Sequence, residues 1–263
     1  MGLIIFNNKR SDEYGIRVWS PPDYEMPEKD LDVYHVPGRS GDLIIDHGSY
    51  KNVDRPYTIT AAGVSATTGI PTDTQFLTLA RRIAEWLQYS TGYAVLEDSY
   101  EPDMYRMARY AGTNPITNLV DKAAMIQVTF NCKPQRFLKS GEDQINITSS
   151  NYTLNNEYNT IALPIITVKG SGTVYLKVRP SSASSSDDGY RIELSNLNSS
   201  GITINSIDQE CYTGSTSKNA NVSLGAYGFP KLYPGNNIIS FGSAGSDGGS
   251  VSRVEVLPKW WII

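Results

Sequence analysis

Ala124-Met125-Ile126-Gln127-Val128-Thr129-Phe130-Asn131-Cys132 sorts its side chains with a period of two. Ala124, Ile126, Val128, Phe130 and Cys132 fall on one face, and Met125, Gln127, Thr129 and Asn131 on the other. That is the pattern of a strand with one face in a core. Residues 55–64, 92–98 and 104–111 read the same way. Glu101-Pro102-Asp103 supplies the turn of a hairpin between the last two.

One stretch departs from this period. In residues 72–92, Phe76, Leu79, Ala80, Ile83 and Leu87 recur at i, i+3, i+4 and i+7 spacing, which makes one apolar helix face. Pro71 precedes it, Thr72 or Asp73 can cap its start, and Gly92 is expected to take the left-handed conformation that ends it. Arg81, Arg82, Glu85 and Gln88 fall mostly on the opposite face. The reading is a helix over about 73–90, packed on a sheet.

The texture changes near residues 134–141. Beyond them only short strands are read, at 161–169, 173–178, 190–194, 202–205, 208–212, 237–241 and 251–257, separated by Ser, Asn and Gly clusters. That spacing predicts a two-sheet sandwich. Within it, Ser-Ser-Ala-Ser-Ser-Ser-Asp-Asp-Gly at 181–189 has no apolar residue but Ala183 and is expected to form an exposed, mobile loop. The expected fold is mainly β with one helix: an α+β domain at 1–139 and a β-sandwich at 140–263.

Composition bounds the function. The 263 residues are 40% hydrophobic and 19% charged, which suits folded domains. Seventeen Tyr against six Phe favour half-buried strand faces and interfaces. A net charge of −4 offers no basic footprint for tight nucleic-acid binding. No apolar run is long enough to span a bilayer. Met1 to Lys9 carries its charge after the apolar residues, the wrong order for a signal peptide, and Phe6 stands where a myristoylation signal wants Ser or Thr. A cytosolic origin is expected. Cys132 and Cys211, far apart and without Cys-x-x-Cys spacing, read as buried thiols in a reducing compartment; a disulfide between them, the other reading, would link separate domains.

Catalytic patterns are missing. His35 and His47 lie at no metal-ligand spacing, so no metal is expected. Asp46-His47 could orient an imidazole, but no Gly-x-Ser-x-Gly nucleophile accompanies it. Ile70-Pro71-Thr72, not a glycine-rich phosphate loop, opens the helix, and no cofactor is expected. Glu97-Asp98, Asp187-Asp188 and Glu101/Asp103 could serve glycosidase chemistry, but carboxylate pairs are common on turns and sequence does not set their separation. Pro37-Gly38-Arg39-Ser40-Gly41 reads locally as a hairpin turn, its glycines free to take positive φ; the other reading is a projecting hairpin that meets a neighbouring subunit.

Several segments, in order, resemble a known family. They are Phe6-Asn7 with Tyr14-Gly15-Ile16; Pro37-Gly38-Arg39-Ser40-Gly41-Asp42-Leu43; Tyr50-Lys51-Asn52-Val53-Asp54-Arg55; Ala84-Glu85-Trp86-Leu87; and Tyr93-Ala94-Val95-Leu96-Glu97-Asp98. Val128 to Phe137, Phe229 to Phe241 and Val254 to Trp261 complete the set, which covers nearly the whole chain. The chain is similar to the distal tail proteins of siphophages, long-tailed phages that infect Gram-positive bacteria. The resemblance implies an N-terminal ring-forming (belt) domain whose copies close into a homo-hexamer around the DNA channel, and a galectin-like C-terminal sandwich. It implies a structural protein without catalytic residues, assembled in the host cytoplasm and placed at the distal end of the virion tail. The implied partners are the major tail tube protein, the tape-measure protein, the tail-tip hub (tail-associated lysin) and receptor-binding or baseplate proteins, with DNA only as passing cargo and no membrane insertion. Under it, Pro37, Gly38, Arg39, Ser40, Gly41, Asp42 and Leu43 become an arm to the next subunit.

The rival reading is a carbohydrate-binding module or adhesin for host cell-wall glycans. Tyr212, Tyr227 and Tyr233 are its candidate contacts, with Phe229, Trp260 and Trp261 as further aromatics. Against it, the C-terminal half has no histidine and no Trp-Gly-x-Glu run, and Trp260 and Trp261 beside Ile262-Ile263 suit core packing.

Overall fold

A computed structural model describes residues 2–61, 73–112, 125–246 and 248–263. The predicted strand beyond Ala61, the Pro71-Thr72 cap and Ala124 lie outside the described residues, as do the side chains of Phe76 and Leu79. The chain is mainly β with one α-helix among the described residues, and it divides into two compact units, Met1–Arg136 with Ile263, and Phe137–Ile262.

The first unit holds β1 (Ile4–Phe6), β2 (Lys9–Arg10), β3 (Ile16–Val18), β4 (Lys29–Tyr34), β5 (Leu43–Tyr50), β6 (Val53–Ala61), α1 (Asp73–Gln88), β7 (Ala94–Asp98), β8 (Met104–Tyr110) and most of β9 (Met125–Leu138). Its sheet runs β2-β1-β7-β8-β9-β6-β3. The sheet then curls on itself. Val18 of β3 exchanges two 2.9 Å backbone hydrogen bonds with Gly2, just ahead of β1. Gly2 suits that spot because a Cβ there would run into the Tyr100 ring. Alternation works as the sequence predicts: Val128, Phe130 and Cys132 are buried on β9, and they pack with Phe6, Val18, Ile59 and the α1 residues Ile83, Trp86 and Leu87.

The helix differs from its prediction at the end. It stops at Gln88, so Gly92 lies four residues beyond it and does not adopt positive φ. Ser90 instead turns the chain by donating its hydroxyl to the Gly92 carbonyl, 3.0 Å away.

The second unit continues with β10 (Ile145–Ile147), β11 (Tyr152–Asn156), β12 (Ile165–Pro180), β13 (Arg191–Leu197), β14 (Ile202–Asn205), β15 (Glu210–Thr213), β16 (Thr216–Ser217), β17 (Val222–Leu224), β18 (Gly235–Ser243), β19 (Ser250–Leu257) and β20 (Trp261–Ile262). The predicted strands at 161–169 and 173–178 merge into one strand, β12, which begins only at Ile165. Its first half pairs with β14 and β19, and its second half with β13 and β18. It therefore belongs to two layers, β10-β19-β12-β14-β15-β16 and β11-β18-β12-β13-β17. Their inward side chains, among them Ile166, Val168, Leu176, Val178, Leu194, Phe241 and Val254, form a single core. The bend between the halves needs glycine. A Cβ on Gly170 would collide with the Ser250 carbonyl, and Gly172 sits at φ 72°. The sequence pattern shows the two halves but not their continuity, because Gly170-Ser171-Gly172 looks like a turn.

The Pro234-Gly235-Asn236-Asn237 segment also acquires a cause. Asn237 is fully buried, accepts from Tyr233 N at 2.9 Å and donates to the Tyr233 and Gly235 carbonyls, which locks the turn into β18. Trp260 lies in the core of this unit, and Trp261 Nε1 donates to the Ile161 carbonyl at 3.0 Å. Packing accounts for both.

Candidate assembly surface

β4 and β5 form a two-stranded ribbon with no third strand among the described residues. Every residue from 32 to 49 is exposed. Isolated two-stranded ribbons are marginal in water, and a strand edge without a partner invites one. The rest of this unit has little such edge to offer, since its sheet has curled until β3 meets Gly2.

The register assigns the ribbon's faces. Val33 lies opposite Ile44 on one face, with Leu31 and Asp46 beside them; Tyr34 opposite Leu43, and Asp32 opposite Ile45, share the other. Val33 and Ile44 are 57% and 60% exposed, and Tyr34, Leu43 and Ile45 are exposed as well. Apolar side chains thus stand on both faces. Covering one face would leave the other in water. Trp19, Tyr24 and Met26, on the approach to β4, add to the exposed apolar surface.

The Pro37 to Asp42 segment is the tip of this ribbon, with Gly38 at φ 80° and Gly41 at φ 84°, and Leu43 begins β5. Nothing lies within 4 Å of a Cβ built on either glycine, so their role is conformational. Both histidines of the chain are on the ribbon. His35 Nδ1 lies 3.2 Å from Asp42, and His47 Nε2 lies 3.0 Å from Asp32, all four side chains being well exposed. Among the described residues, no group of three or more His, Cys, Asp or Glu is placed to hold a metal ion.

The ribbon's base is anchored by polar contacts. Asn52 Nδ2 donates to the Tyr93 hydroxyl and, at 2.8 Å, to Asn131, whose own amide donates to Asp54 at 2.7 Å. Arg55 is buried and reaches Asp98 at 3.0 Å, Glu101 at 2.9 Å and the Tyr57 hydroxyl at 2.8 Å. Tyr57 donates to Asp98 at 2.6 Å, while the Tyr100 and Glu101 amides donate to its other oxygen. Arg106 binds Glu101 at 2.8 Å. Burial pushes the Asp98 carboxyl up, but the hydrogen bonds and charge of Tyr57 and Arg55 outweigh it and hold it below the usual aspartate value. This network was not foreseen. Its sequence signal is Arg55 at an inward position of a strand whose next inward residues are Tyr57 and Ile59. It also removes Glu97-Asp98 and Glu101/Asp103 as a free carboxylate pair. Arg136, buried, lies under the Tyr24 ring at 3.7 Å, and Tyr24 donates to the Ile263 carbonyl at 3.0 Å.

The three tyrosines of the rival reading do not converge. Tyr227 and Tyr233 meet around Tyr190, which stacks on Tyr227 at 4.3 Å and meets Tyr233 edge-on at 6.4 Å. Tyr212 is on β15, in the other layer.

No protein-family model matches the sequence, and no curated protein matches it. Solved structures do. The fold resembles that of SPP1 Dit (gp 19.1). The TM-score is 0.67, and the match covers 97% of this chain and 98% of that one at 14% sequence identity. That protein's structure is described as a paradigm of the hub adsorption apparatus in phages infecting Gram-positive bacteria.

Proposed function

We propose that this protein is a structural component of a phage tail tip, a joint without catalytic activity. Its copies close into a hexameric ring through the β4–β5 ribbon. The ribbon carries the reading: a two-stranded element with no third strand among the described residues and apolar side chains on both faces, in a chain 97% of which follows the fold of a hub adsorption protein. A closed ring requires a heterologous contact, in which the arm of one copy meets a different surface of the next. Pro37 to Leu43 at the ribbon tip suits such an arm. In this reading residues 1–139 are the ring-forming domain and residues 140–263 a galectin-like sandwich. The ring joins the tail tube and tape-measure end to the tail-tip hub and carries receptor-binding or baseplate proteins. The acidic balance suits a channel that DNA must traverse without sticking.

Native mass measurement and negative-stain imaging of the purified full chain test this. The expected result is a six-fold ring with a central hole. A monomer at high concentration that stays monomeric with tail-tube and hub partners present would overturn it.

A further inference from the structure

The segment Ser181–Gly189 is not the loose loop its composition suggests. It leaves β12 and is fastened back over the outer face of the β11-β18-β12-β13-β17 layer. Lys177 Nζ donates to the Ser185 carbonyl at 2.9 Å, and Arg179 Nη1 donates to the Ala183 carbonyl at 2.8 Å. At its far end, Asp187 accepts from the Tyr227 hydroxyl at 3.3 Å, and the Tyr227 amide donates to the Gly189 carbonyl at 2.9 Å. Among the described residues its fastenings are hydrogen bonds such as these, with Gly189 set close against the Tyr227 ring. A strap held by polar contacts over a structured face is an element that opens at low cost compared with the sheet below it.

The face beneath is basic and aromatic. Tyr175, Lys177 and Arg179 point outward from β12, between the inward Val174, Leu176 and Val178. Lys177 pairs directly with Arg191 of β13, so two cations stand opposite each other on neighbouring strands, an arrangement that is unfavourable unless anions or acceptors cover it. Arg191 stacks on Tyr175 at 4.7 Å and binds Glu193 at 2.9 Å. Tyr190, Tyr227 and Tyr233 form the adjoining aromatic cluster, and Tyr227 is 52% exposed.

We infer that Ser181–Gly189 is an autoinhibitory strap whose carbonyls occupy the places of an anionic ligand on Lys177 and Arg179. The ligand is an anionic glycan, a sugar polymer bearing spaced phosphate or carboxylate groups. Its anions replace the Ser185 and Ala183 carbonyls, and its sugar rings lie against the adjoining Tyr190/Tyr227 cluster, whose Tyr227 hydroxyl strap release frees from Asp187. Three cations with Glu193 and Asp187 alongside suit sparse charges; duplex DNA, with a charge about every 1.7 Å, needs more cations than this face has. The site lies in the second unit and does not depend on ring formation.

The test uses the full chain in two opened forms, one with residues 181–187 replaced by a short Gly-Ser linker and one carrying Asp187→Asn with Tyr227→Phe. Binding is measured at low salt to a phosphorylated polysaccharide (a phosphomannan), to a polyuronate and to duplex DNA. Expected is at least a tenfold gain over the parent protein for the phosphomannan, the polyuronate or both, with little for DNA. Lys177→Gln with Arg179→Gln in the same background should abolish that gain. Whichever polymer responds identifies the anion. No gain in a variant that keeps the parent melting temperature, an equal gain for DNA, or a gain that survives the double Gln substitution would overturn the inference.

Discussion

The β4–β5 ribbon and the Ser181–Gly189 strap are both exposed, both border a compact unit, and solve opposite problems. The ribbon shows apolar side chains on two faces and, among the described residues, pairs charges across its own two strands. The strap has almost no apolar surface and accepts hydrogen bonds from the sheet beneath. Exposure alone therefore says little about role. What an exposed segment does with its polar groups, and what it leaves unsatisfied, separates a surface that seeks a partner from one that covers a face.

The largest expected effect strikes the ribbon. Val33→Asp with Ile44→Asp places charges on one apolar face and should leave a soluble, folded monomer, read as a change from ring mass to monomer mass. Deleting Gly38 to Gly41 should do the same through the tip. An intact ring after either change would erase the contrast with the strap. Melting temperature should hardly move, because neither change reaches a core.

Next comes the network at the ribbon's base. Asp98→Ala removes the more deeply buried of the two carboxylates on buried Arg55, leaves Glu101 to meet it alone, and should cost about 3–5 kcal/mol in urea unfolding. The sign with pH is fixed. A carboxyl held below its unfolded value contributes stability that is present above that value and lost as pH falls through the folded one. The gap between parent and Asp98→Ala should therefore close as pH drops below the ordinary aspartate value of about 3.9. A gap that persists would assign the loss to packing. Gly170→Ala, at the bend of β12, should cost roughly 1–3 kcal/mol, since the obstructing atom is backbone and cannot swing away.

The smallest effect reports on the strap. Burial, with the bond to Tyr233 and the nearby Asp187 charge, pushes the Tyr190 phenol up to about 12. Asp187→Asn should bring its ultraviolet titration to lower pH, with no change in assembly. A ring lost along with this shift would mean that the two regions are not independent.

Much of the fold was legible. The alternation in β9, the hairpin of β7 and β8 and the apolar face of α1 each follow from side chains that choose between a core and water. The ribbon was not. Lys29–Tyr34 and Leu43–Tyr50 mix charged and apolar residues on both faces because neither face meets a core of its own unit, so periodicity has nothing to register. Only the tip glycines and the family resemblance pointed there. The Arg55–Asp98 network stayed hidden because its members are 43 residues apart and meet only when the sheet curls. The strap was read from composition as free because its fasteners, Lys177 and Arg179, belong to a different element.

β12 has a mechanical consequence. A sandwich whose layers are joined only by loops can yield at the seam between them. Here one continuous backbone threads both layers, and its hydrogen bonds lie on both sides of any such seam. A pull that separates the layers must shear four strand pairings together, not peel them one at a time. Under load the second unit should behave as one brittle body, rupturing in a single step.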